Sequence, residues 1–191
     1  MTRFLAITWW LLLVAWFAAA TAPALAAISA FTQLQDLGIV VTEYQNYLGT
    51  DPKANGRLAA GFVTDPVFRI TDNAQVVIAT IGLIILLITR GRPVGGSSPA
   101  NMANIACFAM AAIIIAILVF GMSASMNHEL DAYRAAARMG DVTEADAHLA
   151  EFNTMHPIAE KLHGFRAIAV LGMVIASGFA ATAPSAREQQ S

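Results

Sequence analysis

MANIACFAMAAIIIAILVFGM, residues Met102–Met122, is the stretch whose reading decides the fold class. It contains no Asp, Glu, Lys, Arg or His. Crossing the hydrocarbon core of a bilayer takes about 20 predominantly apolar residues. Backbone N–H and C=O groups in lipid must find partners within their own segment, so an apolar run of this length reads as a transmembrane helix and not an open strand.

Three further runs share these properties. They cover about 4–27, 74–89 and 167–183; none contains Asp, Glu, Lys, Arg or His, and Gln75 with a few Thr and Ser are the most polar side chains within them. The expected architecture is therefore all-α: an integral membrane protein built as a four-transmembrane-helix bundle, one membrane domain over residues 1–191. Its polar segments are about 28–73 and 123–166, with a short loop at about 90–101. Composition agrees, with 57% hydrophobic and 13% charged residues and a mean hydropathy of +0.60. A soluble domain carries about a quarter charged residues. The net charge of −2 is too small to suggest nucleic-acid binding, and no basic stripe appears in the sequence. The single cysteine, Cys107, excludes an intramolecular disulfide.

The first run has a competing reading. Arg3, the apolar core and Ala24-Leu25-Ala26 also describe a secretory signal with a small-residue cleavage site. The core is longer than the roughly 7–15 residues of such signals, which favours a retained helix. Orientation follows from the loop Arg90–Ser98, which is basic and free of acidic residues; short loops of that kind stay cytoplasmic. With four spans, Arg3 and Arg187 fall on the same side. The expectation is a bacterial-type inner membrane with both termini cytoplasmic and the two long polar segments on the non-cytoplasmic side.

Those outer segments carry helical patterns of their own. Phe31, Leu34, Leu37, Val41, Tyr44 and Leu48 recur at steps that predict an amphipathic helix. Asp51-Pro52, Asn55-Gly56 and Asp65-Pro66 predict turns before the second span. Helix is expected to continue past the third span to Met139-Gly140. Asp141 with Glu144 reads as a capping box opening a new helix, with Ala145, Leu149, Phe152 and Met155 or His156 on its apolar face. Pro157 is expected to end or kink that helix. Tyr44, Tyr47 and Tyr133 suit an aromatic belt at the outer interface, and Trp9 and Trp10 one at the inner interface. Gly172 and Ala176 form a small-x-x-x-small pair that permits close helix approach.

The candidate chemistry lies in the histidines. His128 leaves the third span beside Glu129, while His156, Glu160 and His163 share one face of a continuous helix. Imidazole with carboxylate suits a transition metal, and Glu160–His163 has the Glu-x-x-His spacing of di-iron bundles, although those use the unit twice. His128 facing His163 or His156 is an arrangement that suits haem. Solvated interfacial histidines, hydrogen-bonded to nearby carboxylates, account for the same pattern. His148 is expected on the polar face of its helix. No nucleophile–base set, phosphate loop or nucleotide fingerprint is present, so enzymatic activity without a cofactor is not expected.

Phe152-Asn153-Thr154-Met155-His156, followed by His163 seven residues on and leading into the last span, resembles an uncharacterised four-helix membrane family that includes the eukaryotic transmembrane protein 205. Ala159 matches the small residue of that pattern, and His163 stands where the family usually has Asn. The family's glycine- and proline-containing stretch after the first helix is not evident at Phe31–Tyr47. The resemblance implies a four-helix bundle and directs attention to His156. The functional expectation is an accessory or scaffold protein, a subunit of a larger inner-membrane complex, with the bilayer and other membrane proteins or further copies as partners. The alternatives are a haem- or metal-binding redox protein and a carrier of a small neutral or hydrophobic solute.

Overall fold

The computed structural model describes residues 3–94 and 98–182, and every regular element among them is helical. In chain order these are α1 (Arg3–Gln33), a 3-10 turn (Thr42–Tyr44), α2 (Gln45–Leu48), α3 (Pro52–Ile88), α4 (Ser98–Ala116), a π-helical segment (Ile117–Met122), α5 (Ser123–Met139) and α6 (Val142–Thr182). Four helical stretches are long and apolar enough to cross a membrane: α1, α3, α4 continued through α5, and α6. Arg187 and the Gly95–Ser97 part of the basic loop lie outside the described residues, as does the end of the fourth run at Ala183.

The helices are longer than the sequence pattern implies, because several turn signals sit inside them. Asp51-Pro52 does mark a boundary. Pro52 occupies the first helical position of α3, where its missing N–H costs nothing, and Asp51 Oδ1 accepts the Lys53 N–H at 2.9 Å. Asn55-Gly56 is not a turn. Asn55 is buried within α3, where its Oδ1 accepts the Val41 N–H at 2.9 Å and its amide donates to the carbonyls of Gly49 and Asp51. Gly56 lies so close to the Leu34–Gln35 backbone that a Cβ would stand 2.6 Å from the Gln35 Cα. The pair fastens the loop after α1 onto α3. Asp65-Pro66 and Pro157 likewise lie within helices.

The amphipathic helix predicted over Phe31–Leu48 is interrupted. α1 closes at Gln33, Gly38 takes a left-handed φ of +64°, and Val41 is extended before the 3-10 turn. The stop at Met139-Gly140 is found as expected: Gly140, at φ +78°, and Asp141 donate back to the Ala137 and Ala136 carbonyls. Asp141 Oδ1 accepts the Glu144 N–H at 3.1 Å, which is one half of the expected capping box.

The chain divides into two compact units. The first holds residues 3–21, 72–116 and 163–182 among those described. Its core is Trp9, Leu13, Trp16, Ile85, Leu86, Phe108, Ala111, Ala169, Val170 and Met173. Trp16 meets Phe108 edge-on, with centroids 5.6 Å apart. Trp9, expected in an interfacial belt, is fully buried instead, and its Nε1–H donates to Ser177 Oγ at 3.0 Å. Small residues bring the helices together, as Gly172 does against the Cys107 sulfur and Gly82 against Phe108. Lipid offers no hydrophobic gain for burying leucine, so such close packing and interhelical hydrogen bonds hold a membrane bundle together. Large apolar residues face outward, among them Ile7, Leu11, Val14, Ile113, Ile168 and Phe179.

The second unit holds residues 22–71 and 117–162. Tyr44, Leu58, Tyr133, Ala136, Ala137 and Ala145 form its core. The tyrosines expected in an outer belt are at its centre: Tyr47 packs edge-on against Tyr133 at 5.9 Å and donates its hydroxyl to Asp146 at 2.6 Å. This unit carries eleven Asp and Glu against six Lys and Arg.

Candidate functional site

Asp72 and Arg166 lie immediately ahead of the apolar runs 74–89 and 167–183. α3 and α6 bring them together inside the first unit. Arg166 Nη1 donates to Asp72 Oδ1 at 2.9 Å; the guanidinium side chain is 0% exposed and the carboxylate 13%. Arg166 Nη2 is 2.8 Å from His163 Nδ1. A guanidinium only donates, so the imidazole accepts through Nδ1 and carries its own proton on Nε2. An ionisable pair held against apolar spans is the default place to look for function in a membrane protein.

One turn beyond Asp72 on α3, the buried Gln75 amide donates to the Ala19 carbonyl of α1 at 3.3 Å. Deeper along the spans, Asn104 Nδ2 and Trp9 Nε1 both donate to Ser177 Oγ, at 2.9 and 3.0 Å. The polar interior thus has a charged level and two amide and hydroxyl levels, each tying together different helices.

The second unit is fastened by exposed and half-buried pairs. Asp65 accepts from Arg69 Nε at 2.8 Å and from Arg134 Nη1 at 3.1 Å, and Arg134 lies over the Phe62 ring at 4.5 Å. Burial works to raise the Asp65 carboxyl, but the hydrogen bonds and charges of the two arginines outweigh it and hold the group below the usual carboxylate range. His148 stands between two carboxylates, its Nδ1 2.7 Å from Glu129 and its Nε2 3.3 Å from Glu144. The hydrogen bond to Glu129 raises the imidazole above its ordinary value; burial opposes the rise, and the charges of both glutamates add to it.

The residues singled out from sequence are not gathered into one place. His156 and Glu160 do meet, with Nε2 and Oε1 3.2 Å apart, both exposed, and Phe152 stacks on the imidazole at 5.1 Å. His163 is engaged by Arg166, whose positive charge also opposes a cation at that ring. His128 is exposed on α5. Among the described residues no group of three or more His, Cys, Asp or Glu is placed to hold a metal ion.

Sequence reasoning missed the Asp72–Arg166 pair, because each residue falls just beyond the limit of an apolar run. A signal was available: opposite charges stand immediately before two spans expected to start on the same side. No protein-family model, no curated protein and no solved structure matches this chain.

Proposed function

We propose that this chain is a non-catalytic multi-pass protein of a bacterial-type inner membrane, acting as an accessory or scaffold subunit of a larger membrane complex. The observation that carries the reading is the use made of its ionisable side chains. Asp72–Arg166, Asp65–Arg134, Glu129–His148 and Tyr47–Asp146 each bond one helix to another, so the groups that would do chemistry are spent as fasteners. The outward apolar residues of the first unit suit lipid and partner helices. Both termini are cytoplasmic in this reading, with the polar segments about 28–73 and 123–166 on the outer side. The local resemblance to the transmembrane protein 205 family is compatible with a four-helix bundle of this kind.

The test is the native mass of the protein after extraction in a mild detergent. A particle well above the 20.2 kDa chain and its micelle is expected, with a defined partner or further copies in constant ratio. A monodisperse monomer under those conditions overturns the subunit reading. A second reading, a haem- or metal-binding redox protein, is favoured only by the exposed His156–Glu160 pair, whose donor atoms are accessible. A Soret band or stoichiometric metal in the extracted protein that is lost in His156→Ala would replace the first reading.

A further inference from the structure

The turn after α3 contains a residue its backbone does not favour. Arg90 N–H donates to the Leu87 carbonyl at 3.2 Å and Gly91 N–H to the Leu86 carbonyl at 2.8 Å. These are the paired bonds of a helix stop whose left-handed position is usually glycine. The same pair of bonds ends α5, and there the residue is Gly140. After α3 it is Arg90, at φ +52°, the one non-glycine residue of positive φ among those described.

The neighbouring glycine is required for a different reason. Gly91 has φ +74°, and a Cβ on it would stand 2.6 Å from Ile105 Cδ1. Pro93 is fully buried, which seats the end of the turn itself. The turn is therefore fixed on the first unit and presents Arg90 and Arg92, both exposed, from a rigid base. Neither forms an ion pair with a carboxylate among the described residues, and no Asp or Glu occurs anywhere between Asp72 and Glu129. Immediately before them on α3, Leu87 and Ile88 are 69% and 63% exposed.

Two guanidinium groups with no carboxylate partner among the described residues, beside outward-facing aliphatic side chains at the end of an apolar span, match one kind of molecule: a phosphate with acyl chains. We propose that the Arg90–Arg92 turn binds the headgroup phosphate of an anionic phospholipid, with the lipid's acyl chains lying along Leu87 and Ile88. This rests on the reading that the apolar helices cross a membrane. Arg90 then retains a strained backbone position because glycine, though better suited to the turn, brings no charge to it.

The test uses the full chain purified in a neutral detergent, with phosphatidylglycerol, phosphatidylcholine or inorganic phosphate added in turn. Thermal midpoint and native mass spectrometry are the readouts. Phosphatidylglycerol is expected to raise the midpoint and remain bound, while the other two have little effect. Arg90→Gly without lipid is expected to match or exceed the wild-type midpoint, yet bind phosphatidylglycerol about fivefold more weakly, and Arg90→Gly with Arg92→Gln more weakly again by a similar factor. Undiminished phosphatidylglycerol binding by the double variant overturns the proposal. So does an equal response to inorganic phosphate, or a lower lipid-free midpoint for Arg90→Gly, which would make the side chain structural. Partition of the chain into the aqueous phase without detergent would instead refute the membrane reading itself.

Discussion

Gln75 donates its side-chain amide to the carbonyl of Ala19, and Ala19 lies four residues before Pro23. Proline has no N–H to return to the carbonyl four residues back, so Pro23 leaves that oxygen without its helical partner. The most polar side chain in the second apolar run supplies the missing donor from another helix.

Gln75→Leu is therefore expected to destabilise the protein by about 1–3 kcal/mol, the range for leaving a buried polar group unpaired. Pro23→Ala restores the helical N–H, so the same Gln75→Leu change should cost clearly less in that background. A double-mutant cycle on the two positions, read by thermal unfolding in detergent, measures the difference. Equal costs in both backgrounds would show that the Ala19 carbonyl is not what Gln75 serves.

Asp72→Ala or Arg166→Ala each leaves a buried charge without its partner. The expected loss is about 3–5 kcal/mol for either single change. Replacing both by apolar residues of similar volume should cost much less than the sum, because no charge then remains to be desolvated. The same unfolding assay reads this, and additive losses would mean that the two side chains act independently.

Gly56 and Gly61 both lie in α3, and alanine should act in opposite directions at the two positions. At Gly56 a methyl meets backbone atoms of Leu34 and Gln35, which cannot swing aside, and a loss of about 1–3 kcal/mol is expected. At Gly61 the nearest atom is the end of the Arg134 side chain at 3.9 Å, and relief of glycine's entropy should stabilise by about 0.5–1 kcal/mol. Protease cleavage within 34–41 should also quicken in Gly56→Ala.

His148 gives the second unit a pH dependence with a definite sign. Its folded-state value is raised above the ordinary 6.5 through Glu129 and Glu144, so its contribution is complete below about pH 6.5 and declines as pH rises through the raised value. His148→Gln should therefore differ most from the wild type on the mildly acidic side and converge with it in alkali. A gap that widens with increasing pH would contradict the placement of His148 between the two carboxylates.

The intact mass of the purified protein should retain residues 1–26. Trp9, Leu13 and Trp16 are members of the first unit's core, and a chain cleaved after Ala26 would lose all three. Such a product in the membrane would support the secretory-signal reading of Ala24-Leu25-Ala26.

The helical class and the four long apolar helices were legible because uninterrupted apolar runs have one solution in lipid. The boundaries were not, and the reasons are specific. Asn55-Gly56 has turn composition, yet the asparagine serves as a hydrogen-bonding anchor and the glycine as clearance for a neighbouring backbone. Tyr44, Tyr47 and Tyr133 have interfacial composition but find partners in Arg138, in Asp146 and in one another, which makes them a core. Spacing along one helix placed His156, Glu160 and His163 on a common face, but Arg166, only three residues beyond His163, claims that ring. Pairing across helices is what local spacing does not encode, and the Asp72–Arg166 contact is the clearest case.

In the membrane reading, that contact also bears on how the apolar helices respond to an electric field. A charge carried across the membrane potential exchanges about 2.3 kcal/mol with it for each 100 mV. Asp72 and Arg166 have opposite signs and are bonded at 2.9 Å, so a displacement of one carries the other and the work done on them cancels. In the membrane reading the Asp72–Arg166 pair is in this sense electrically silent while the bond holds.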